Sequence, residues 1–189
     1  MYTKKIGVML CVVLVMLGGC VPSLHKLYTE EDVVFKQELM GFWTSEGMDD
    51  RWEFRSDNKK SYELNYADKE GKEGKFEVHL VKLEDKIFMD LYPSEPNIAS
   101  NDFYKLHLLG VHTFMLVKQI EPVPELSPMD YEELKNLLED NPEAIKHEIV
   151  EGRVILTAST KELQDFVVKH AGAGSEIFGD IITLNKKKK

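Results

Sequence analysis

The groups able to do chemistry in this chain are six histidines, several paired carboxylates, two cysteines and a few polar residues set inside apolar runs. Nucleophilic catalysis needs a Ser, Cys or Thr beside a base that a third residue orients, and no Gly-x-Ser-x-Gly stretch occurs. No His-x-x-x-His or His-Glu-x-x-His spacing brings two rings to one ion. His107 and His112, on one strand, would point to opposite faces. The pairs Glu30–Glu31, Asp49–Asp50 and Glu132–Glu133 sit in polar surroundings, where a solvated face or a helix start accounts for them better than glycosidase chemistry. Phosphate loops and Gly-x-Gly-x-x-Gly are missing too, so the residue types favour neither an enzyme nor a bound metal or cofactor. What remains is His79, Asp90, Lys105 and His107, polar residues within strand-like runs. Around a polar-tipped cavity these four would orient a ligand.

One thiol stands apart by its context. Met1 to Cys20 has a basic start at Lys4 and Lys5, an apolar run from Ile6 to Leu17, and then Gly18-Gly19-Cys20, the layout of an export signal. That run is shorter than the ~20 residues needed to cross about 30 Å of hydrocarbon. Leu17-Gly18-Gly19-Cys20 resembles the lipobox of bacterial lipoproteins. The resemblance implies a diacylglyceryl thioether on Cys20, cleavage after Gly19, and acylation of the new amine by a fatty acid such as palmitate. It also implies a protein held to a membrane of the cell envelope. Val21 stands where an Asp would mark retention at the inner membrane, which directs the protein to the outer membrane, facing the periplasm. Removal of residues 1–19 takes Cys11 with it, so the mature chain has no partner for a disulfide.

The 189 residues carry 33 acidic and 24 basic side chains, a formal charge of −9. Nucleic acid is a poor partner for such a surface, because the basic run is confined to the tail Lys186–Lys189. After a tether over residues 20–28, residues 29–185 suffice for one domain with its own core.

Within that domain, strict alternation over Arg51–Arg55, Ser61–Tyr66 and Lys75–Leu80 predicts strands that bury one face. Trp52 and Phe54 should be buried together while Arg51, Glu53 and Arg55 face water. Ile87–Tyr92, Phe103–Leu109 and Thr113–Ile120 extend the meander. A helix is predicted with Ser127 as N-cap, Pro128 in its first turn and Leu134, Leu137 and Leu138 as its apolar stripe. Ile145–Val150 and Arg153–Thr157 form a hairpin about Glu151-Gly152, and the capping box Ser159–Glu162 opens a second helix.

The fold class is therefore mainly β (α+β), an antiparallel meander that must close into a barrel, with two C-terminal helices. Gly41-Phe42-Trp43, at the entrance to the first strand, resembles the Gly-x-Trp signature of lipocalins. That resemblance implies a barrel whose narrow end Trp43 closes, with an apolar small molecule or lipid entering at the other. Its Thr-Asp-Tyr turn and the late basic residue that packs on the Trp are not located in this sequence. Two functions are open: a non-enzymatic, lipid-anchored carrier, with Trp43 among its ligand-lining residues, and a structural or assembly lipoprotein with a solid core that binds another envelope protein through its acidic surface and sheet edge. A barrel interior that is filled favours the second.

Overall fold

Alternation sets the first hairpins. In the computed structural model, which describes residues 19–57, 60–94, 102–105, 107–172 and 177–187, Arg51–Ser56 forms a strand with Trp52 and Phe54 buried and Arg51 and Arg55 exposed. Glu53 departs from the expected exposed row: it is buried, and its carboxylate accepts a hydrogen bond from Arg55 Nε at 2.8 Å. In chain order the strands are β1 (Val33–Val34), β2 (Gly41–Ser45), β3 (Arg51–Ser56), β4 (Tyr62–Ala67), β5 (Glu73–Leu83) and β6 (Lys86–Pro93). After the short helix α1 (Asp102–Lys105) come β7 (Thr113–Gln119), β8 (Glu125–Pro128), α2 (Tyr131–Asp140), β9 (His147–Val150), β10 (Arg153–Leu156), α3 (Thr160–His170) and β11 (Ile182–Lys186).

The sheet runs β5-β4-β3-β2-β11-β8-β7-β6 and returns from β6 to β5, an eight-stranded antiparallel barrel with β1 added beside β5. This is the expected lipocalin-like barrel with C-terminal helices. Strand directions define two rims. The β2–β3, β4–β5 and β6–β7 connections and the excursion from β8 to β11 leave from the upper rim; β3–β4, β5–β6 and β7–β8 turn at the lower one. A 3-10 turn, Gln37–Leu39, closes the lower rim: Leu39 is fully buried, Phe35 stacks on Tyr62 with ring centroids 4.7 Å apart, and Trp43 Nε1 donates to the Leu39 carbonyl at 2.8 Å. Lys186 Nζ lies 5.3 Å from the centroid of the Trp43 ring, a cation on an aromatic face. Gly41 has φ 129°, a region closed to most L-residues, which explains the glycine two places before that Trp.

Inward side chains from all eight strands, among them Trp43, Trp52, Phe54, Leu64, Leu80, Met89, Val117 and Leu184, make one buried cluster. At the upper rim Tyr66 lies edge-on to Trp52 at 5.0 Å. A second cluster lies outside the barrel, where Val81, Phe88, Phe114 and Leu116 on the outer face of β5–β7 meet Leu134 of α2, Leu163 and Phe166 of α3, and Val154 of β10. The amphipathic pattern of both helices thus has its partner surface on the sheet.

Four further expectations change. Phe103–Leu109 is not a strand. Asp102–Lys105 is helical, His107 N–H bonds to the Tyr104 carbonyl, and Phe103 and Leu109 are exposed, so alternation there does not report burial. Ser127 and Pro128 do not begin a helix; they end β8, whose pairing with β7 and β11 claims that segment. The N-cap is Asp130, whose Oδ1 accepts from Glu133 N–H at 2.9 Å. Lys186, assigned to a basic tail, is the last residue of β11. The segment Val21–Tyr28, expected as a spacer, is a strap packed on the body: Val21, Ser23 and Leu27 are fully buried. Its backbone is satisfied as well, Leu24 N–H donating to Leu156 O and Leu156 N–H to Pro22 O, both at 2.9 Å.

Candidate functional site

Where the strap crosses the outer face of the barrel it meets a polar cluster. β6 turns Phe88, Asp90 and Tyr92 outward, and the register places Asp90 opposite His79 of β5. Asp90 is a carboxylate almost wholly removed from water, with 1% of its surface exposed. Its Oδ2 accepts from the Leu27 N–H at 2.7 Å, and its Oδ1 lies 2.7 Å from His112 Nδ1, so a ring N–H at that nitrogen donates to it. Two charge-assisted bonds offset the cost of burying the carboxylate. His112 itself pairs through its backbone with Ser23, in both directions, at 2.8 and 2.9 Å.

His79 stacks on Tyr28 with centroids 4.0 Å apart, and Lys26 Nζ lies 4.4 Å from the centroid of the same ring. Burial lowers the His79 pKa, a shift that Glu77 and Asp90 oppose and Lys26 reinforces. Burial also pushes the Tyr28 phenol up to about 12, helped by the negative charges of Glu77, Asp90 and Glu30. Beyond the cluster, toward the upper rim, the Tyr92 and His112 rings are 4.5 Å apart. A hollow of about 650 Å³ opens there, lined by Glu77, Tyr92, Lys105, Leu108 and Leu109. Gly110 lies at its edge, where a Cβ would come 2.6 Å from Tyr92 Oη and push the phenol ring aside.

Of the residues singled out from sequence, the fold therefore brings together His79 and Asp90. Lys105 lies at the end of α1 on the wall of the hollow. His107 is exposed and turned back on its own loop, with Nδ1 2.8 Å from the Phe103 carbonyl oxygen. Neither is on a strand. Trp43 belongs to the barrel interior, opposite Trp52 in the sheet, with its indole N–H turned toward Leu39 at the lower rim. Cys20 stands exposed at the start of the strap, in a β-bridge with Asp130, whereas residues 1–18, where an export signal is expected, lie outside the described residues.

Sequence reasoning missed His112 and Lys186. The available signal for His112 was indirect: Asp90 is the one acid within the apolar run Ile87–Tyr92, and such an acid needs a partner. Lys186 was hidden in a run of four lysines.

The Asp–His pair has the geometry that orients a general base. The nearby hydroxyl, Ser23 Oγ, instead donates to the His25 carbonyl at 2.8 Å within the strap. What the pair does here is fasten: it ties the strap to β6 and to the residue preceding β7. A second buried acid, Asp50, plays a similar part at the upper rim, accepting from Ser45 N–H at 2.7 Å, Ser45 Oγ at 2.6 Å and Trp52 Nε1 at 2.9 Å. Burial would raise its pKa, and these hydrogen bonds together hold it below its ordinary value. Among the described residues no group of three or more His, Cys, Asp or Glu is placed to hold a metal ion, and no helix is long and apolar enough to cross a membrane.

The chain matches no protein-family model, and no curated protein or solved structure is significantly similar to it.

Proposed function

We propose that this is a non-enzymatic lipoprotein of the bacterial envelope, anchored through acyl chains on Cys20 at the periplasmic face of the outer membrane, whose barrel is a solid scaffold for binding another envelope protein. The observation that carries the scaffold reading is the barrel interior, occupied by the protein's own Trp43, Trp52, Phe54, Tyr62, Met89 and Met115. A carrier of an apolar small molecule would need that volume for its ligand. Closure of the barrel removes the sheet edges that a partner strand could extend, but β9 keeps one. It pairs only with β10 among the described strands, and Ile149 and Val150 on it are exposed. An edge of this kind accepts an added strand from a partner.

Both tryptophans lie in the interior cluster, so their emission reads the carrier question directly. Titration with fatty acids and phospholipids is expected to give no saturable shift; a one-to-one saturable shift would reinstate the carrier. A photoreactive residue at Ile149 should crosslink to one envelope protein in intact cells. Intact mass tests the anchor, with acyl mass on a chain beginning at Cys20 and an unprocessed, unlipidated Cys20→Ser variant as the expected pair.

A further inference from the structure

Among the described residues, large exposed apolar side chains lie on the β9 edge, at Ile149 and Val150, at Leu24 of the strap, and in a larger group along one arc of the upper rim. Met48 lies in the β2–β3 turn, Phe103, Leu108 and Leu109 in the β6–β7 connection, and Ile181 just before β11. Around the barrel the order is β3, β2, β11, β8, β7, β6, so these connections are neighbours. The remaining connection at that rim, Asp68-Lys69-Glu70-Gly71-Lys72 between β4 and β5, is polar throughout its side chains. Cys20 falls within the apolar arc, since its bridge to Asp130 places it where the chain leaves β8. No slack separates Cys20 from the body, because Val21 and Ser23 are fully buried and the Pro22 carbonyl is held by Leu156. Anything attached to the Cys20 sulfur must enter its surroundings at this rim.

We infer that the arc is a membrane-seating surface: the acyl chains on Cys20 and the exposed apolar side chains around it enter the same leaflet, and the β4–β5 turn stands away from it. This inference rests on the lipidation of Cys20 proposed above. It fixes the orientation of the barrel, which a flexible spacer would leave free. Apolar faces of this kind settle about 5–10 Å into the boundary between headgroups and acyl chains. With Lys4 and Lys5 lost with residues 1–19, the chain from Cys20 carries 22 basic and 33 acidic side chains, a formal −11, and gains nothing overall from anionic headgroups, so the seating is apolar and insensitive to salt.

The test uses the lipidated protein with one new cysteine, Met48→Cys, Leu109→Cys or, as the control, Lys69→Cys, labelled with a polarity-sensitive fluorophore in phosphatidylcholine vesicles. All three positions are exposed, and the Cys20 sulfur, as a thioether, does not react with the label. Labels at positions 48 and 109 are expected to shift to the blue and to be quenched by acyl-chain quenchers, with no change in high salt; the label at 69 should keep the emission of water. Intact mass is measured on the same samples. Acyl mass present with all three labels in water would overturn the seating surface and leave the lipoprotein reading standing. Acyl mass absent would overturn both.

Discussion

Inside the barrel, Trp43, Trp52, Phe54 and Tyr62 meet across hairpins joined by short turns, whereas on the outer face Phe88 and Phe114 meet Val21, Leu163 and Phe178, supplied by segments far away in the chain. The two clusters share β5, β6 and β7, whose residues alternate between them: Leu80 and Met89 inward, Val81 and Phe88 outward. Strands with two buried faces lose the apolar–polar alternation that β3 and β4 keep, as in Phe88–Leu91 and Phe114–Val117, each buried throughout. Where a meander stops alternating, a second layer is covering it. Apart from Leu184, which β11 brings in from far along the chain, the interior is therefore a product of local pairing, and the outer cluster is a product of tertiary assembly.

Deep truncations test whether the two clusters fold as one. Phe54→Ala inside and Phe88→Ala outside should each cost about 3–5 kcal/mol, since both side chains are almost wholly buried. Tryptophan emission reports the interior and far-ultraviolet helical signal the outer layer, so denaturant curves by the two probes should shift together in both variants. If Phe88→Ala moved only the helical signal, the clusters would be separate units.

A smaller effect separates fastening from filling. Asp90→Ala leaves the Leu27 N–H and His112 without their acceptor and should cost about 2–3 kcal/mol, while Asp90→Asn, which keeps an acceptor oxygen, should cost about 1 kcal/mol. In both variants proteolysis should appear first within the strap, with tryptophan emission unchanged before global unfolding. Cleavage elsewhere would mean that Asp90 does not hold the strap.

On the interior side, Lys186→Ala removes an exposed cation from the Trp43 ring and should cost about 0.5–1 kcal/mol, measured as a lower denaturation midpoint. Asp50 supplies the gentlest probe. Its folded pKa is depressed below the ordinary 3.8, so the stability it contributes is complete above that value and is lost as pH falls through the folded pKa. Asp50→Asn should flatten the acid limb of the stability profile below about pH 4 and leave its neutral limb parallel to that of the wild type.

The contrast between the clusters also explains what could be read from the sequence. Hairpins β3–β4, β4–β5 and β5–β6 were legible because their signals, alternation and polar turns, are local. The β9–β10 turn was legible too, with Glu151 at φ 50° and Gly152 at φ 78°. The strap was not, because its partners are remote: Asp90 is 63 positions from Leu27, and Gln164, which donates to the Leu27 carbonyl, is 137 positions away. Ser127-Pro128 misled because the same two residues suit a helix start and the end of a strand, and only their pairing with Leu116 and Met115 of β7 decides between them. Of the candidate site, His79 and Asp90 were found from polar residues in apolar strands, and their union with His112 required the fold.

Barrel closure has a temporal side. The strand that completes the ring beside β2 is β11, roughly 140 positions further along the chain, and the penalty for closing so long a loop grows only slowly with its length. A chain emerging N-terminus first can form the β2–β6 meander early, yet it keeps β2 as an open edge until Ile182–Lys186 has emerged. The lower rim waits as well, since Trp43 receives its lysine only then. Deleting β11 would leave β2 and β8 each with an open edge in every molecule and turn a closed ring into an aggregation template.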